Sequence, residues 1–474
     1  MTRGIGQAFN TAKGSLNAAQ TGLAQTSHNV SNVNTEGYSR QRVEMKAEDP
    51  VSFGNNRLGT GVRVGAVTRA HSNFLGKRIE EETTKLGRTE GMADIYSQIE
   101  SVFKDDGEHG LSSSVSRFFN DVRTLSTQPE SAPLRTAVKE SAIGVTQRFQ
   151  NVASGVDAVT QDLNRKVEGS VHEINSLTKK IGELNQRITE AEIGGAMAND
   201  ERDSRDLAVT QLSKHIEIQT SPTENGSIVV SSGRMGTLVA GNEAFNLVAG
   251  RSPDGPVTNS TRIFMSSTAD GKGLRDVTET IDSGALGGFV KLRDRDIPAM
   301  MEKIDTLAYQ FADNVNRVHR DSFGKNGATG VNFFDLSGQT GAASGLKVND
   351  SIQKDASLIA SGKTAMAPGD NRALLALADL QDQKMFSDGA ANIIEFTAGI
   401  VGEVGVNSRA VTEDLEAQQG VLAQLGTMRE QISGVSLDEE AMNMLKFQKA
   451  FDASAKMIQV ADNMLDTVIN LKRF

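Results

Sequence analysis

The stretch IGQAFNTAKGSLNAAQTGLAQTSHNVSNV, residues 5–33, contains no proline and places apolar residues at steps of three and four. Such steps mark one face of an α-helix and, when sustained, the seam of a coiled coil. We therefore predict a long N-terminal helix with one apolar face. Its apolar positions are Ile5, Phe9, Ala12, Leu16, Ala19, Leu23, Val30 and Val33.

The C-terminal stretch 437–471 shows the same pattern and also lacks proline. Ser436 followed by Glu439 predicts a capping box at its start. Chain termini usually fray, so two strongly patterned ends indicate that each packs against something. We expect the two terminal helices to pair. The apolar positions of the second helix are Met444, Phe451, Ala455, Ile458, Leu465 and Ile469.

Long helices are also predicted inside the chain, because residues 134–221 and 369–474 contain no proline. Apolar residues at helical spacing predict one helix within 163–193 and another over 388–433. At 1.5 Å per residue, the latter would be roughly 70 Å long, which suits a rod better than a compact globule. A further helical pattern covers 291–320.

Between the helical regions, residues 216–290 change to short alternating runs separated by Gly, Asn, Asp and Pro, including Asn225-Gly226. Asn-Gly favours a tight hairpin turn because both residues tolerate positive φ. The Gly-rich segment 321–370 is expected to be irregular, with two short strands. The predicted fold class is mainly α with a small inserted β domain, in an elongated multi-domain rod of long helices whose N- and C-terminal helices are paired.

Composition excludes several classes of function. The 474-residue chain has a net charge of −10, so we expect no binding to nucleic acid, which needs clustered Lys and Arg. It has no cysteine, which excludes disulfides and thiol catalysis. No apolar run is long enough for a membrane span, and we expect no membrane partner. No signal peptide of the usual kind begins the chain, and this alone would favour the cytoplasm.

No group of residues in the sequence assembles a catalytic site. None of the six histidines lies four residues from another, so a helical zinc pair is absent. Gly362-Lys363-Thr364 resembles the end of a phosphate-binding loop, but Ser357 stands where the first glycine is needed. Acidic residues 438–440 suit the first turn of a helix, where the dipole favours negative charge. We expect no enzyme activity, no cofactor and no metal site.

The segment NVSNVNTEGYSR, residues 29–40, follows the first helix. Asn and Gly tolerate positive φ, and Asn side chains bond their own backbone, so a specific turn is predicted here. The three asparagines lie beside the apolar face of the helix. This position favours a second role, in which the side-chain amides bond a neighbouring chain.

The motifs at both ends resemble those of the bacterial flagellar rod, hook and hook-associated axial proteins. At the N-terminal end they are LNAAQ (16–20) and HNVSNVNTEGYSR (28–40), and at the C-terminal end SLDEEAM (436–442), FQKAF (447–451) and ASAK (453–456). The motifs at the two ends cover a small part of the chain, but their combination is specific to this family.

Three interior segments, within 200–212, 307–319 and 368–381, favour the hook-associated branch of this family. Phe447 and Phe451 depart from the family pattern, which often has tyrosine there.

The resemblance implies a structural role, with copies packed side by side in a ring at the junction between hook and filament. The implied partners are further copies of the chain, the hook protein, a second hook-associated junction protein, and an export chaperone on the C-terminal helix. The resemblance also implies export through the flagellar secretion channel without a cleaved signal peptide. An extracellular, flagellar location then replaces the cytoplasmic expectation.

The family also implies an arrangement in layers. The expected layers are an inner pair of terminal helices (1–40 and 436–474), a rod of long helices (41–215 and 291–435), and an outer β domain (216–290), with 321–370 unplaced. Residues expected at contacts between copies are Ile5, Phe9, Leu16, Leu23, Asn29, Asn32, Asn34, Gly37, Tyr38, Met444, Phe447, Phe451, Ile458, Leu465 and Ile469. Two other functions stay open: a distal rod or hook subunit, and a surface adhesin that displays the β domain.

Overall fold

The computed structural model describes residues 2–53, 56–104, 110–250, 261–268 and 271–471. Residues 251–260 and 269–270 of the predicted β region, and residues 1 and 472–474 of the predicted terminal pair, lie outside this description. The chain is mainly helical with small sheets, which confirms the predicted fold class.

The helices are α1 (Thr2–Ser31), α2 (Asn73–Phe103), α3 (Leu111–Thr127), α4 (Ala132–Glu192), α5 (Asn199–His215), α6 (Gly284–Lys291), α7 (Ile297–Arg320), α8 (Ala342–Gly345), α9 (Asp350–Lys354), α10 (Arg372–Asp379), α11 (Ile393–Ser433) and α12 (Leu437–Leu471). The strands are β1 (Gln41–Ala47), β2 (Val51–Phe53), β3 (Asn56–Leu58), β4 (Val62–Arg69), β5 (Gln219–Pro222), β6 (Ile228–Ser232), β7 (Gly236–Ala240), β8 (Glu243–Ala244), β9 (Leu247–Gly250), β10 (Arg262–Ser266), β11 (Leu274–Asp276), β12 (Phe323–Gly324), β13 (Phe334–Asp335), β14 (Lys347–Val348) and β15 (Ala360–Gly362). A π-helical turn, Leu292–Asp296, joins α6 to α7.

The two terminal helices, α1 and α12, begin and end within three residues of their predicted bounds and pack against each other. At the start of α12, the Glu439 N–H donates to Ser436 Oγ at 3.5 Å, which is one half of the predicted capping box. The Glu439 carboxylate instead accepts from Arg40. The competing ion pair explains why the box is incomplete.

Helix α4 extends far beyond the predicted helix at 163–193. It has 61 residues and is therefore roughly 90 Å long. Pro133 lies in its first turn, where the missing N–H removes no intrahelical bond. Val138, Phe149 and Val156 are fully buried, so the apolar face continues through the half that the sequence did not predict.

Helix α11 begins five residues later than predicted, because a capping box fixes its start. Asn392 Oδ1 accepts from the Glu395 N–H, and Glu395 Oε2 accepts from the Asn392 N–H, both at 2.9 Å. Before the box, Ser387 and Asp388 have positive φ, which a helix does not allow. The helix then packs along α2.

The strands predicted within 216–290 form a four-stranded sheet, in the order β5-β6-β7-β8, and a three-stranded sheet, in the order β11-β10-β9. Both bind α4 through asparagine side chains. Asn185 Nδ2 donates to Ile228 O at 2.9 Å, and Asn175 Nδ2 donates to Leu247 O at 2.7 Å. The sheets share one hydrophobic core with the helices, and their separation as an outer domain stays a prediction.

Segment 321–370 is irregular, as predicted, with short helices and four strands of two or three residues in place of the two expected. Strands β12 and β15 pair with each other, as do β13 and β14. Phe333 and Phe334 of this segment lie in the hydrophobic core, where both rings contact the ring of Phe118. The segment is therefore anchored despite its glycine content.

His319 at the end of α7 also holds this segment. Its Nδ1 lies 2.7 Å from Val331 O, and its Nε2 accepts from the Ala360 N–H at 2.9 Å. Because Nε2 is an acceptor, the neutral ring carries its proton on Nδ1 and donates it to Val331 O. Burial lowers the pKa of His319 to about 4.

Candidate functional site

The terminal helices approach closely because small residues line the face of α1 that meets α12. Ala12 and Ala19, which lie seven residues apart on this face, are buried. At Gly22 a Cβ atom would lie only 2.6 Å from the ring of Phe447. The aromatic ring therefore packs directly on the backbone of α1, and only glycine leaves room for it.

Most of the predicted apolar contact residues lie in or beside this contact and are half-buried within one chain. These are Ile5, Leu16, Leu23, Met444, Phe447, Phe451, Ile458 and Leu465. Phe9 and Ile469 remain exposed, at 36% and 55% of their surfaces. Contacts within one chain thus bury these apolar residues only in part. Their role in contacts between copies stays a prediction.

Helix α12 has a second apolar face, which lies outside its predicted apolar positions. Its side chains are about half exposed. They are Met442, Leu445, Met457, Val460 and Met464. At 100° per residue, the five fall within an arc of about 120°, separate from the arc that faces α1. None of the described residues covers this face.

A buried asparagine joins the end of α1 to the segment that follows it. Asn29 Nδ2 donates to Gln41 O at 2.9 Å and to Glu440 Oε2 at 3.1 Å. Asn29 Oδ1 accepts from the Tyr38 hydroxyl at 2.7 Å and from the Gln41 N–H at 3.0 Å. All four bonds stay within this chain. The fold thus gives Asn29 an intramolecular role, and its predicted contact with another copy is untested.

A buried ion pair joins the same segment to the start of α12. Arg40 Nε donates to Glu440 Oε1 at 2.7 Å, and Arg40 Nη1 donates to the more exposed Glu439. The Arg40 side chain is 9% exposed and that of Glu440 2%. The Arg40 N–H also donates to Ser433 O at 2.8 Å, so Arg40 binds both sides of the α11–α12 connection.

Helix α5 supplies a third attachment. The Ser39 N–H donates to Asp203 Oδ2 at 2.8 Å, and Arg69 Nη1 donates to Asp203 Oδ1 at 2.7 Å. Burial raises the pKa of Asp203, and its bonds with Arg69 and Ser39 oppose this rise. Burial, together with the charges of Asp200, Asp203 and Glu440, also raises the pKa of Tyr38. We call the residues Asn29, Tyr38, Ser39, Arg40, Asp203 and Glu440 the terminal junction.

The other predicted turn residues have local roles. Gly37 has φ of 82°, and a Cβ atom there would lie 3.1 Å from Leu207, so both conformation and space require glycine. Asn32 Nδ2 donates to His28 O at 3.0 Å. Asn34 is exposed. The sequence therefore located the turn but not Glu440 and Asp203, which complete it from distant parts of the chain.

The chemical alternatives find no support in the geometry. Lys363 N–H and Thr364 N–H, which a phosphate loop would aim at its ligand, donate to Asp370 Oδ2 at 2.8 and 3.0 Å. Within the described ranges, no three His, Cys, Asp or Glu side chains are placed to hold a metal ion. No helix in that part of the chain is long and apolar enough to cross a membrane.

Comparison with known families gives two matches. A model described as the flagellar hook-associated protein FlgK helical domain matches residues 96–334. A model described as the flagellar basal body rod FlgEFG protein C-terminal matches residues 429–471. The first match covers half of the chain, and the second covers the end of α11 and all of α12.

Similar whole proteins include flagellar hook-associated protein 1 of Bacillus subtilis (strain 168), which is 29% identical over 97% of each chain. The Escherichia coli (strain K12) protein of the same name is 26% identical over 98% of this chain and 99% of its own length. The solved flagellar hook junction protein FlgK from Burkholderia pseudomallei superposes with a TM-score of 0.68 at 14% identity, covering 75% of this chain and 100% of that one. This last likeness concerns the fold alone.

Proposed function

This chain belongs to the FlgK family of flagellar hook-associated proteins, and we propose that it forms the junction between hook and filament by polymerising through its terminal helices. The resemblance to the hook-associated branch is confirmed, and the chain is a component of the bacterial flagellum. We propose the position of the chain at the hook–filament junction and its polymerisation through the terminal helices.

The second apolar face of α12 carries this proposal. Five large apolar side chains at helical spacing are exposed in the single chain. Burying the exposed half of each side chain would contribute about 1 kcal/mol, so burying all five in an interface would contribute several kcal/mol. Large apolar side chains exposed along one side of a helix, here interleaved with Lys446, Lys449 and Lys456, favour a contact with another protein chain. We assign that contact to further copies of the same chain.

The outward side of α11 supports the same assembly. Val406, Val421, Met428 and Ile432 are exposed on it. Glycines at 399, 402 and 420 lie in the same helix, and a Cβ atom on any of them would meet nothing within 4 Å. Each glycine costs up to about 1 kcal/mol relative to alanine in a helix interior. The single chain gives no reason for this cost, whereas close approach of a neighbouring copy would.

The proposed arrangement keeps the terminal pair in an inner layer, the long helices α2, α4 and α11 in the next, and the β5–β11 sheets outermost. The proposed partners are the hook protein on one side and a second hook-associated protein on the other. An export chaperone would cover an apolar face of α12 before assembly. The proposed location is extracellular, after export without a cleaved signal peptide. We assign no catalytic role and no cofactor.

The test uses two α12 variants with the same change in charge. M457E/M464E places carboxylates on the second apolar face, whereas Q448E/Q459E places them on exposed polar positions of the same helix. Each variant replaces the wild-type copy in cells, and labelled antibodies locate it by electron microscopy. We expect Q448E/Q459E at the hook–filament boundary and M457E/M464E absent from it, although both monomers give the wild-type circular dichroism spectrum.

Normal assembly of M457E/M464E would overturn the mode of polymerisation. Antibody labelling of the wild-type chain along the rod or hook, and not at the boundary, would overturn the position and favour the alternative of a distal rod or hook subunit.

A further inference from the structure

A groove separates α2 from β5, and we propose that it binds an extended, carboxylate-bearing peptide segment of another protein, added as a strand to the free edge of β5. The groove consists of two adjoining cavities of about 570 and 310 Å³. Lys77, Glu80 and Thr220 line both cavities, so the two are continuous. We call this space the α2–β5 groove.

Among the residues that the structure describes, β5 is the outer strand of its sheet and pairs only with β6, so its other edge is free there. The Thr223 N–H donates to Ser227 O at 3.0 Å and closes the hairpin as a hydrogen-bonded pair. In an antiparallel pair, the direction of the main-chain groups alternates along the strand. Ser221 and Gln219 therefore bond to β6, and the N–H and C=O of Thr220 point to the free edge.

The partner strand agrees with this alternation. Ile228 lies opposite Pro222, and its N–H and C=O bond to the side chain of Asn185 on α4, away from β5. Pro222 has no N–H to offer at the free edge, and it sits at the end of the strand, where proline commonly protects an edge. The exposed donor and acceptor in the middle of β5 thus belong to Thr220.

The dimensions of the groove suit an extended chain. Its helical wall extends from Ser72 to Arg88 along α2, a length of about 24 Å. An extended peptide rises about 3.3 Å per residue, so roughly seven residues would fill this length. Addition of a strand to an exposed sheet edge is a common mode of peptide recognition, in which main-chain bonds give affinity and side chains give specificity.

The charges that line the groove favour carboxylates in the ligand. Lys77 and Arg88 form no ion pair with any residue that the structure describes. Arg205 at the inner end is 3% exposed, and its guanidinium bonds Asn185 Oδ1 and Gly226 O, not a carboxylate. Arg205 Nε has no hydrogen-bond partner within the described chain.

Glu80 is the main opposing group inside the groove. Burial and the nearby charge of Asp206 raise its pKa to about 7, so at neutral pH it carries only part of its charge. Glu81 is already paired with Arg78, and Lys85 with Glu82. Among the described lining groups without an ion pair, Lys77, Arg88 and Arg205 are cationic, whereas Glu80 and the exposed Glu217 are acidic. Because Glu80 carries only part of its charge, the balance is positive, and this favours a carboxylate-bearing ligand.

This inference goes beyond the proposed function, because neither terminal helix contributes to the groove. The test selects random twelve-residue peptides, displayed on phage, against the full-length monomer. Enriched peptides are then synthesised, and their affinity is measured by fluorescence polarisation. We expect acid-rich peptides with extended sequences, and we expect M457E/M464E to bind them as the wild type does.

Two pairs of variants locate the binding. Thr220→Pro removes the free-edge N–H and no bond to β6, whereas Thr220→Val keeps that N–H. We expect about a tenfold loss of affinity for the proline variant and none for the valine variant. K77E/R88E should lose at least about tenfold, whereas K179E/K180E, with the same change in charge on exposed positions of α4, should bind normally.

Hydrogen exchange at β6 checks that each variant keeps the sheet. The proposal is overturned if selection yields no binding peptide, if the enriched peptides are basic, or if Thr220→Pro and K77E/R88E bind as well as their controls. Displacement of the peptide by excess wild-type chain would also overturn it, since the occupant would then be a second copy.

Discussion

Arg40 and Glu440 are 400 positions apart in the sequence, yet Arg40 Nε donates to Glu440 Oε1 at 2.7 Å in a nearly dry environment. Removing one partner of a buried ion pair leaves the other charge without compensation and typically costs about 3–5 kcal/mol. This pair therefore controls how firmly the first turn of α12 is held at the terminal junction.

We expect Glu440→Gln to lower the local free energy of opening at the terminal junction by about 3 kcal/mol, because the buried guanidinium of Arg40 loses its main counter-charge. Native-state hydrogen exchange of the amides in 38–41 and 437–445 measures this opening. Glu439→Gln is the matched control: the Glu439 side chain is 55% exposed, so its loss should cost under about 1 kcal/mol. Equal effects of the two substitutions would contradict this account.

We expect Gly22→Ala to weaken the contact between α1 and α12, because the added methyl would lie 2.6 Å from the Phe447 ring. The cost should be about 1–3 kcal/mol, as for overpacked sites. Faster hydrogen exchange along both helices is the measurement.

Gly6→Ala on the same helix provides the comparison, since a Cβ atom there meets nothing within 4 Å. It should slow exchange in α1, by the roughly 1 kcal/mol that alanine gains over glycine in a helix. Slower hydrogen exchange in α12 of the Gly22→Ala variant would contradict the packing of Phe447 on Gly22.

At Gly87 the backbones of α2 and α5 approach closely, because a Cβ atom there would lie 1.9 Å from Lys214 O. Backbone cannot move aside as a flexible side chain can. We expect Gly87→Ala to lower the thermal unfolding temperature, at a cost of about 3 kcal/mol. Gly169→Ala on α4, which meets nothing within 4 Å, should raise it. Differential scanning calorimetry distinguishes these opposite signs.

His319 makes stability depend on pH. Its folded-state pKa of about 4 lies below the unfolded value of 6.5, so the folded chain binds the proton less readily. The contribution of the neutral ring is complete above pH 6.5 and is lost as pH falls from 6.5 through 4, by about 3 kcal/mol in total. The physical event is loss of the Nε2 acceptor that the Ala360 N–H uses.

Urea unfolding at pH 7, 5.5 and 4.5, followed by a probe in segment 321–370, measures this dependence. His319→Gln removes the titrating group, so its stability should change less between pH 7 and 4.5 than that of the wild type. An identical pH dependence in the two proteins would exclude His319 as the cause.

The terminal helices were predictable because their apolar spacing is regular and strong turn residues follow α1. Their pairing follows from the same pattern. Helix α2 was not predicted, since buried Glu82, Thr84 and Thr89 interrupt any single apolar face. Neighbours on several sides, including α5, α6 and α11, bury this helix, so its sequence lacks the simple period that a one-sided helix shows.

The terminal junction was likewise predictable only in part. The turn at 29–40 was found from its Asn and Gly residues, whose chemistry is local. The partners of that turn were not found, because Asp203 and Glu440 lie in segments that read alone as ordinary helix starts with acidic first turns. Only the fold brings them to Ser39 and Arg40.

The terminal junction also has a mechanical consequence. The chain enters the body after α1 and leaves it before α12 at the same place, where Arg40 binds Ser433 O and Glu440. Two covalent chain segments, held side by side, therefore join the body to the terminal helices, in addition to the packing of α1 on β1 and β4. A single connecting segment would allow the body to rotate about its backbone bonds. Two connecting segments would have to wind around each other for the body to rotate. A twist applied to the helix pair is thus delivered to the whole molecule as torque.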